Sequence, residues 1–316
     1  MRLIDYTLFL DALRELCPSL MLNEPMAKHT TFRVGGVAAI TVTPSSIQEL
    51  CDILTLRKEI APSLPMCILG KGSNVLFDDE GYDGMVVFTS ELQDASFSKS
   101  DEEDFVLVKA ECGVPLTVLA RQCVADGRSL EGLAFAFGIP GSVGGAIVMN
   151  AGAYGGEMAD VVESVDYYNS DTEEVCTARG EELKFAYRHS LFIEHPDYVV
   201  LSTTLRMKHG DREKIISEMS MNMTNRRLKQ PLDLPNAGSV FKRPEGYFAG
   251  KLIEDSGLKG YTIGGAQVSE KHAGFIVNLG GATAHDIKAL IYHIRHVVKF
   301  NYGIDLVCEI RMISSD

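Results

Sequence analysis

EGLAFAFGIPGSVGGAIVMNAGAYGG, residues 131–156, is the most informative stretch of this chain, with seven glycines from Gly138 to Gly156 and no charged residue after Glu131. Glycine loses more conformational entropy on folding than any other residue, so this density indicates backbone packed closely against something. A flat ring system with a pyrophosphate fits, because Ser142 can cap a short helix whose N-terminus favours an anion. Tight packing between strands is the alternative, and the segment alone leaves both open.

A second glycine loop follows a predicted buried strand in ILGKGSNVLF (68–77) and contains Gly70, Lys71, Gly72, Ser73 and Asn74. It is not a Walker A loop, because no glycine stands five residues before Gly70. It is not a dinucleotide GxGxxG motif either, because Val75 occupies the position of the last glycine. Its consecutive N–H groups can still form an anion-binding nest, and a simple β-turn is the alternative.

The composition is that of a globular protein, since 46% of the 316 residues are apolar and 23% are charged. This length predicts two or three packed units. No apolar run reaches the roughly 18 residues of a membrane span. The N-terminal pattern MRLIDYTLFLDALREL is amphipathic and lacks the unbroken apolar core of a signal peptide. We therefore expect a cytoplasmic protein with no membrane partner.

The charged and metal-binding residues exclude several classes of function. Seven cysteines without a CxxC pair predict reduced thiols rather than disulfides, and the absence of HExxH argues against a metal site. The net charge of −13 argues against a nucleic-acid partner, which requires a basic face. Basic residues still gather late in the chain and predict either a small polyanionic ligand or a solvated surface: Arg226, Arg227, Lys229, Lys242, Arg243 and Lys251.

Strands and helices alternate along the chain without a regular βαβ rhythm, which favours an α+β fold over a doubly wound sheet. The character of the sequence changes near residue 208, where we expect the main domain boundary. The patterns predict an exposed acidic loop at 98–104 and strands at 161–170, 198–208 and 305–313. They also predict helices at 45–60, with Ser45 or Ser46 as its N-cap, and at 114–127, 211–229 and 284–300.

The two glycine-rich segments resemble the FAD-binding region of the UDP-N-acetylenolpyruvoylglucosamine reductase family, which has an FAD domain of the p-cresol methylhydroxylase/vanillyl-alcohol oxidase type. Other motifs match the family in order: NEPMAKHTTFRVGG (23–36), YRHSLF (187–192), NAGSVFKRP (236–244), AGKLIEDSGLKGYTIGGAQVSEKHAGFIVN (249–278) and CEIRMI (308–313). The resemblance implies an FAD-binding region at 1–208, with subdomains at roughly 1–77 and 78–208, and an α+β substrate domain at 209–316.

The family uses NADPH and FAD to reduce the enolpyruvyl ether of UDP-N-acetylglucosamine to the lactyl ether, a step of peptidoglycan precursor synthesis. The resemblance therefore implies noncovalently bound FAD, NADPH as hydride donor, a UDP-sugar as small-molecule substrate and, we expect, a monomer. The FAD contacts that it implies are Gly70, Gly72, Ser73, Asn74, Ile139, Pro140, Gly141, Ser142 and Gly145.

Three residues match the catalytic positions of the family. Ser239, in NAGS, is the implied proton donor to carbon, although a serine in such a turn ordinarily only shapes it. Arg188, in YRHS, is the implied stabiliser of the enolate, because a guanidinium grips carboxylate oxygens bidentately. Glu309, in CEIR, is the implied proton relay, and a carboxylate in a predicted apolar strand would be costly without a partner. Strand alternation places Arg311 on the same face, so a structural Glu309–Arg311 pair is the alternative reading.

The resemblance also suggests a subtype and a set of substrate contacts. The chain passes from residue 208 to NAGS within about thirty residues, as in the short second type, which lacks an inserted loop with a substrate-binding tyrosine. Tyr154 is then the candidate for covering the substrate, Lys229 and Lys242 for meeting the UDP diphosphate, and Arg311 for a further contact. Arg226 and Arg227 stay open among the UDP diphosphate, the FAD phosphates and the 2′-phosphate of NADPH.

Two other functions are compatible with this fold class. Another flavin oxidase or dehydrogenase with the same type of FAD domain would lack the NAGSVFK motif and the terminal EIR strand. A catalytically silent sugar-nucleotide-binding module would have lost Ser239, Arg188 or Glu309, and this sequence retains all three.

Overall fold

The computed structural model describes residues 6–315, which mix helices with mostly antiparallel strands. The helices are α1 (Thr7–Leu16), α2 (Ile47–Ile60), α3 (Leu116–Gln122), α4 (Val143–Val148), α5 (Leu191–Glu194), α6 (Arg212–Lys229), α7 (Ala249–Asp255) and α8 (Ala284–Tyr302). The first strands are β1 (Met21–Pro25), β2 (Val37–Val42), β3 (Met66–Leu69), β4 (Val75–Phe77), β5 (Tyr82–Phe88), β6 (Ala95–Lys99), β7 (Phe105–Glu111), β8 (Leu130–Glu131) and β9 (Gly152–Ala153). The others are β10 (Gly156–Glu157), β11 (Val162–Asn169), β12 (Glu174–Arg179), β13 (Val199–His209), β14 (Asn236–Ser239), β15 (Thr262–Ile263), β16 (Ala266–Val268), β17 (Phe275–Asn278) and β18 (Arg311–Ile313).

The chain divides into two compact units, each assembled from three separate segments. Unit 1 comprises Met1–Met21, Thr41–Lys71 and Val86–Thr224, and unit 2 comprises Leu22–Ile40, Gly72–Met85 and Asn225–Asp316. The sequence-based division at residue 208 falls near the end of β13, and it stays a prediction.

Unit 1 contains a largely antiparallel sheet with the strand order β12-β11-β13-β7-β6, and β8 also pairs with β13. The central strand β13 is long because VVLSTTL is rich in β-branched residues and is almost continuously buried. Asp166 fixes the register of its neighbours, since its carboxylate accepts bonds from Lys109, Thr177 and Ser202 on three adjacent strands. The helix α4, which carries part of the glycine-rich segment, packs beside β13 and β7.

Unit 2 contains an antiparallel sheet with the order β14-β17-β16-β15, and a parallel pair of β18 with β4. The helix α8 buries one face, because its apolar residues Ile287, Leu290, Ile291, Ile294 and Val298 recur at helical spacing. A capping box of Thr283 and Asp286 begins this helix, and Gly303 ends it at a φ of 72°. A single apolar cluster joins α7, α8 and the sheet of this unit.

A further four-stranded sheet has the order β1-β2-β5-β3. The helix α2 follows β2 and begins where the sequence predicts, because the Ser46 side chain accepts a bond from the backbone N–H of Glu49. The strand β3 ends at Leu69, so the loop 70–74 begins directly at the end of this sheet strand.

Three sequence-based elements differ from the structure. The helix predicted at 114–127 is only Leu116–Gln122, because Pro115 is its N-cap and the amides of Val124 and Ala125 bond to the third residue back instead of the fourth. The acidic loop predicted at 98–104 begins later, since Ser98 and Lys99 belong to β6 and pair with β7.

The final strand predicted at 305–313 is only Arg311–Ile313. The preceding residues bond instead to the segment after β14, where Phe241 and Cys308 form an isolated bridge. Glu309 therefore lies outside a regular strand, and strand alternation does not place it on the face of Arg311.

Candidate functional site

The two glycine-rich segments meet within unit 1, where Gly70 lies against Ser142. A Cβ atom added to Gly70 would stand 2.2 Å from the hydroxyl oxygen of Ser142 and 3.1 Å from its Cβ. Ser142 is 3% exposed, so it has little room to move away. Glycine at position 70 therefore allows the backbone of the first loop to touch the start of the second segment.

Ser142 is the N-cap of α4, as the sequence predicts. Its hydroxyl accepts a bond of 3.4 Å from the backbone N–H of Gly145. The preceding backbone is tied to α3, because the Thr117 hydroxyl donates to the carbonyl of Ile139 and accepts from the N–H of Gly138. The carbonyl of Gly141 accepts a further bond from Leu116. These bonds fix residues 138–142 as a shaped loop rather than a free linker.

The glycines of this segment serve two different purposes. A Cβ added to Gly144 would stand 2.8 Å from the Cβ of Cys112, and a Cβ added to Gly156 would stand 2.7 Å from a ring carbon of Phe135. These two glycines are required by close packing inside the protein. Burial raises the pKa of the Cys112 thiol to about 12, so this neighbour is an inert apolar group.

Gly145 is different, because nothing in its own unit requires a glycine there. It is exposed on α4, and an added Cβ would meet only the Ser142 hydroxyl at an ordinary 3.5 Å. Glycine inside a helix costs about 1 kcal/mol relative to alanine. Packing within unit 1 therefore does not account for this glycine, and its backbone is open to close approach by a ligand. Its contact with the cofactor stays a prediction.

The rest of the first loop, Gly72–Asn74, belongs to unit 2. Gly72 has a φ of 60°, and a Cβ there would stand 2.0 Å from the carbonyl oxygen of His29. The Asn74 side chain donates to the carbonyl of Glu309 at 3.2 Å, and the Asn74 carbonyl accepts from the N–H of Arg311 at 3.0 Å. Asn74 thus holds the chain on both sides of residue 310, while Ser73 is half-buried beside it.

Arg188 lies in unit 1 against the glycine-rich segment. Its guanidinium donates to the carbonyls of Asn150 at 3.5 Å and Gly152 at 3.3 Å, and it lies 5.0 Å from the centre of the Tyr187 ring. Its φ of 52° is unusual for a residue with a side chain, which indicates a position fixed by its surroundings. The structure therefore brings the YRHS motif and the 138–156 segment together.

Asn150 holds this arrangement and is a residue whose role the sequence analysis missed. It is fully buried, its side chain donates to the carbonyl of Ala186, and its oxygen accepts from the N–H of Ala159. The signal available in the sequence was an asparagine in a run without other polar residues, where a buried amide must find partners.

Tyr154 occupies a tight turn between β9 and β10. Tyr154 and Gly155 have φ values of 55° and 91°, as a two-residue type I′ hairpin requires. The Tyr154 side chain is 45% exposed at the tip. An exposed aromatic ring on a tight hairpin suits contact with a ligand, and the covering role of Tyr154 stays a prediction.

Unit 2 brings Ser239 and Glu309 close together along the backbone. Ser239 ends β14 opposite Phe275, and the next residue, Val240, accepts a bond of 2.8 Å from the N–H of Glu309. Val240 in turn donates to the carbonyl of Gly274 at 2.9 Å. Ser239 is exposed and Glu309 is half-buried, so the hydroxyl is accessible while the carboxylate is partly shielded.

The predicted substrate contacts differ in their exposure and in the elements that carry them. Lys242 is half-buried, and its N–H donates to the carbonyl of Val307, which places it beside the segment that carries Glu309. Arg311 is exposed at the start of β18, and Lys229 is exposed at the end of α6. Arg226 is 8% exposed and Arg227 is exposed, so the two arginines face different surroundings.

Some kinds of site are absent from the part of the chain that the structure describes. No cluster of three or more His, Cys, Asp or Glu side chains within residues 6–315 is arranged to hold a metal ion. No helix in the same range has the length and apolarity that crossing a membrane requires.

Two family models match this chain, one for an FAD binding domain over residues 38–179 and one for the C-terminal domain of UDP-N-acetylenolpyruvoylglucosamine reductase over residues 230–313. Proteins with the latter enzyme's name are close relatives. One from Caldanaerobacter subterraneus subsp. tengcongensis is 44% identical over 97% of this chain and 98% of its own. One from Alkaliphilus oremlandii is 46% identical over 96% of this chain and 97% of its own.

A solved structure agrees with these relatives. The crystal structure of UDP-N-acetylenolpyruvylglucosamine reductase (MurB) from Thermus caldophilus has a TM-score of 0.74 and 33% identity, and the match covers 93% of this chain and 97% of that one. The α+β fold with an FAD-binding region and a C-terminal domain is confirmed.

Proposed function

The chain belongs to the UDP-N-acetylenolpyruvoylglucosamine reductase family, and we propose how its own residues carry out the family reaction. The enzyme is an FAD-dependent oxidoreductase that uses NADPH to reduce the enolpyruvyl ether of UDP-N-acetylglucosamine to the lactyl ether. It thereby contributes to peptidoglycan precursor synthesis. The observation that supports the residue assignments best is the backbone bond that keeps Glu309 beside Ser239.

The cofactor would be held by two glycine-rich stretches. These comprise Gly70, Gly72, Ser73 and Asn74 of the first loop, and Ile139, Pro140, Gly141, Ser142 and Gly145 of the second. The exposed Gly145 supports this assignment, since a backbone that carries no side chain can be approached closely by a ligand. When bound, FAD supplies hydride transfer from NADPH to the terminal carbon of the vinyl group.

Arg188 binds the carboxylate of the enolpyruvyl group in our proposal. Negative charge develops beside this carboxylate as the hydride arrives, so a fixed cation stabilises the transition state more than the ground state. The carbonyls of Asn150 and Gly152 orient the guanidinium without cancelling its charge. The planar fork can then grip two carboxylate oxygens.

Ser239 holds the proton that is delivered to the carbanion carbon. A serine hydroxyl is a weak acid, so it works only when it is positioned against a strongly basic centre. Glu309 relays a replacement proton or polarises the hydroxyl. The backbone bond at Val240 keeps the two residues adjacent whatever their side chains do.

Further parts of the proposal follow from the family and the sequence. Lys229, Lys242 and Arg311 contact the UDP-sugar, and Tyr154 covers it in place of the missing loop tyrosine. We propose an FAD-binding region at 1–208, with subdomains at roughly 1–77 and 78–208, and a substrate domain at 209–316. The enzyme acts as a monomer in the cytoplasm.

The test is a direct assay of the purified protein with its substrates. Anaerobic NADPH oxidation beyond one equivalent per FAD should require the enolpyruvyl ether, and the product should be heavier by two hydrogens. Acid precipitation should release all the yellow colour into the supernatant. Colour retained in the pellet, or NADPH oxidation that ignores the enolpyruvyl ether and responds to another acceptor, would reject the proposal.

A further inference from the structure

His272 lies in the turn between β16 and β17 of unit 2. Its imidazole Nδ1 accepts a bond of 3.0 Å from the N–H of Gly274, and its carbonyl accepts from the N–H of Phe275 at 2.9 Å. The hydroxyl of Ser269 accepts from the N–H groups of Lys271 and His272 at the start of the same turn. The turn is therefore tied together by one imidazole nitrogen and one hydroxyl.

The ring of His272 also fills a space that two glycines leave. A Cβ added to Gly250 or to Gly274 would stand 3.1 or 3.0 Å from the ring carbon Cε1. The ring meets the edge of Phe275, with centroids 4.9 Å apart at an interplanar angle of 66°. Such contacts leave the imidazole little freedom to rotate, so its nitrogen stays aimed at the Gly274 amide.

The turn is hydrogen-bonded to the proposed catalytic segments around Ser239 and Glu309. Gly274, whose N–H is held by His272, accepts a bond of 2.9 Å from the N–H of Val240. Val240 follows Ser239, and its carbonyl accepts the N–H of Glu309 at 2.8 Å. One line of three hydrogen bonds therefore runs from the imidazole through Gly274 and Val240 to Glu309.

We propose that His272 is a positioning residue for the reaction, because its imidazole fixes the Gly274 backbone to which the Ser239 and Glu309 segments are both joined. This inference rests on the proposed roles of Ser239 and Glu309. His272 itself transfers no proton and touches no substrate. The Nδ1 atom must carry a lone pair to accept the amide, so the neutral ring with its proton on Nε2 is the working form.

The surroundings favour this neutral form. Burial is the largest influence on the pKa of His272 and lowers it, and the nearby positive charge of Lys259 acts in the same direction. A hydrogen bond to the residue's own backbone and the charge of Glu254 act in the opposite direction, but the net pKa is lowered. Lys259 and Glu254 pair with each other at 2.9 Å, which reduces the net charge that the imidazole meets.

Two substitutions separate the acceptor atom from the rest of the side chain. In His272→Asn the amide oxygen occupies nearly the position of Nδ1, whereas in His272→Gln the polar atoms lie further out, near the position of Nε2. His285→Gln is the matched control, because His285 is an exposed histidine of the same unit. All variants are tested as purified full-length holoenzyme with equal FAD content.

Steady-state kinetics should show a selective loss. We expect His272→Gln to lower kcat by about 10–100-fold with KM for the enolpyruvyl substrate within about threefold, since small displacements of reacting groups reduce rate more than binding. His272→Asn should recover most of the rate, and His285→Gln should match the wild type. Equal activity of His272→Gln and wild type, or equal loss in the Asn and Gln variants, would overturn the inference.

Hydrogen exchange gives an independent measurement that does not depend on turnover. The amides of Gly274, Val240 and Glu309 should exchange on the order of tenfold faster in His272→Gln, whereas those of α8 should not change. Unchanged exchange at all three amides would overturn the inference. Ser239→Ala, measured alongside, tests the proposed role of Ser239 separately from that of His272. Full activity of Ser239→Ala would reject the role of Ser239, whatever the His272 variants show.

Discussion

The contact between Gly70 and Ser142 can be tested by replacing Gly70 with alanine. Gly70 does not have left-handed backbone, so its conformation accepts an alanine and only the contact opposes it. The new Cβ would stand 2.2 Å from the Ser142 hydroxyl, which must move and give up its bond to the N–H of Gly145. Loss of a serine N-cap costs about 0.5–2 kcal/mol, and crowding in a packed site costs about 1–3 kcal/mol.

We therefore expect Gly70→Ala to destabilise the protein by about 2 kcal/mol, which corresponds to several degrees of melting temperature. Ser142→Gly alone should cost only a few tenths of a kcal/mol, since glycine is a tolerated N-cap. It also removes both atoms that the new Cβ would meet. Adding Gly70→Ala to Ser142→Gly should then cost about 0.5 kcal/mol or less, a clear departure from additivity.

The assay is denaturant unfolding of the four proteins in this double-mutant cycle, together with their FAD content after gel filtration. The variant Gly70→Ala should lose FAD, and the double variant should regain part of it. Additive costs in the cycle would refute the reasoning, because they would show that the alanine is not opposed by Ser142.

Three further predictions concern single residues. Gly145→Ala should stabilise the helix of the apoprotein by up to about 1 kcal/mol, so its melting temperature should stay the same or rise. The variant should nevertheless retain less FAD. Normal FAD retention would show that Gly145 does not contact the cofactor. Arg188→Lys should lower kcat by about 100-fold or more with little change in KM, and a raised KM at normal kcat would make it a simple anchor. The folded-state pKa of His272 is lowered, mainly by burial, so its contribution to stability is complete above the ordinary value of about 6.5 and decreases as pH falls below it. Unfolding measured at pH 8 and at acid pH should show a smaller loss for His272→Asn than for the wild type, and equal losses would contradict this sign.

Much of the fold was predictable because its signals are local. The cap at Ser46 and the apolar spacing of α8 depend on residues a few positions apart, which a sequence displays directly. The terminal strand was predicted too long, at 305–313 instead of Arg311–Ile313. Residues 305–310 alternate like a strand, but their bonds go to the segment after β14, distant in the sequence.

The candidate site likewise has a part that the sequence predicted and a part that it did not. The motifs containing Ser239, Arg188 and Glu309 were identified through a family resemblance, since a lone serine or arginine carries no such signal in its residue type. What the sequence could not supply is the support behind them. Asn150 and His272 act through bonds to backbone groups whose neighbours are set by tertiary structure. The same limit applies to the glycines, because Gly144 and Gly145 are adjacent in sequence and differ only in what surrounds them.

The most direct test of the account is the rate of each half of the reaction in Ser239→Ala. Anaerobic stopped-flow absorbance follows bleaching of the flavin by NADPH and then its recovery when the enolpyruvyl ether is added. Bleaching needs no proton on carbon and should proceed near the wild-type rate, whereas recovery should slow by about 10²–10⁴-fold, the usual cost of losing a positioned acid. Equal slowing of both halves would contradict the proton-donor role and would show that Ser239 shapes the site instead.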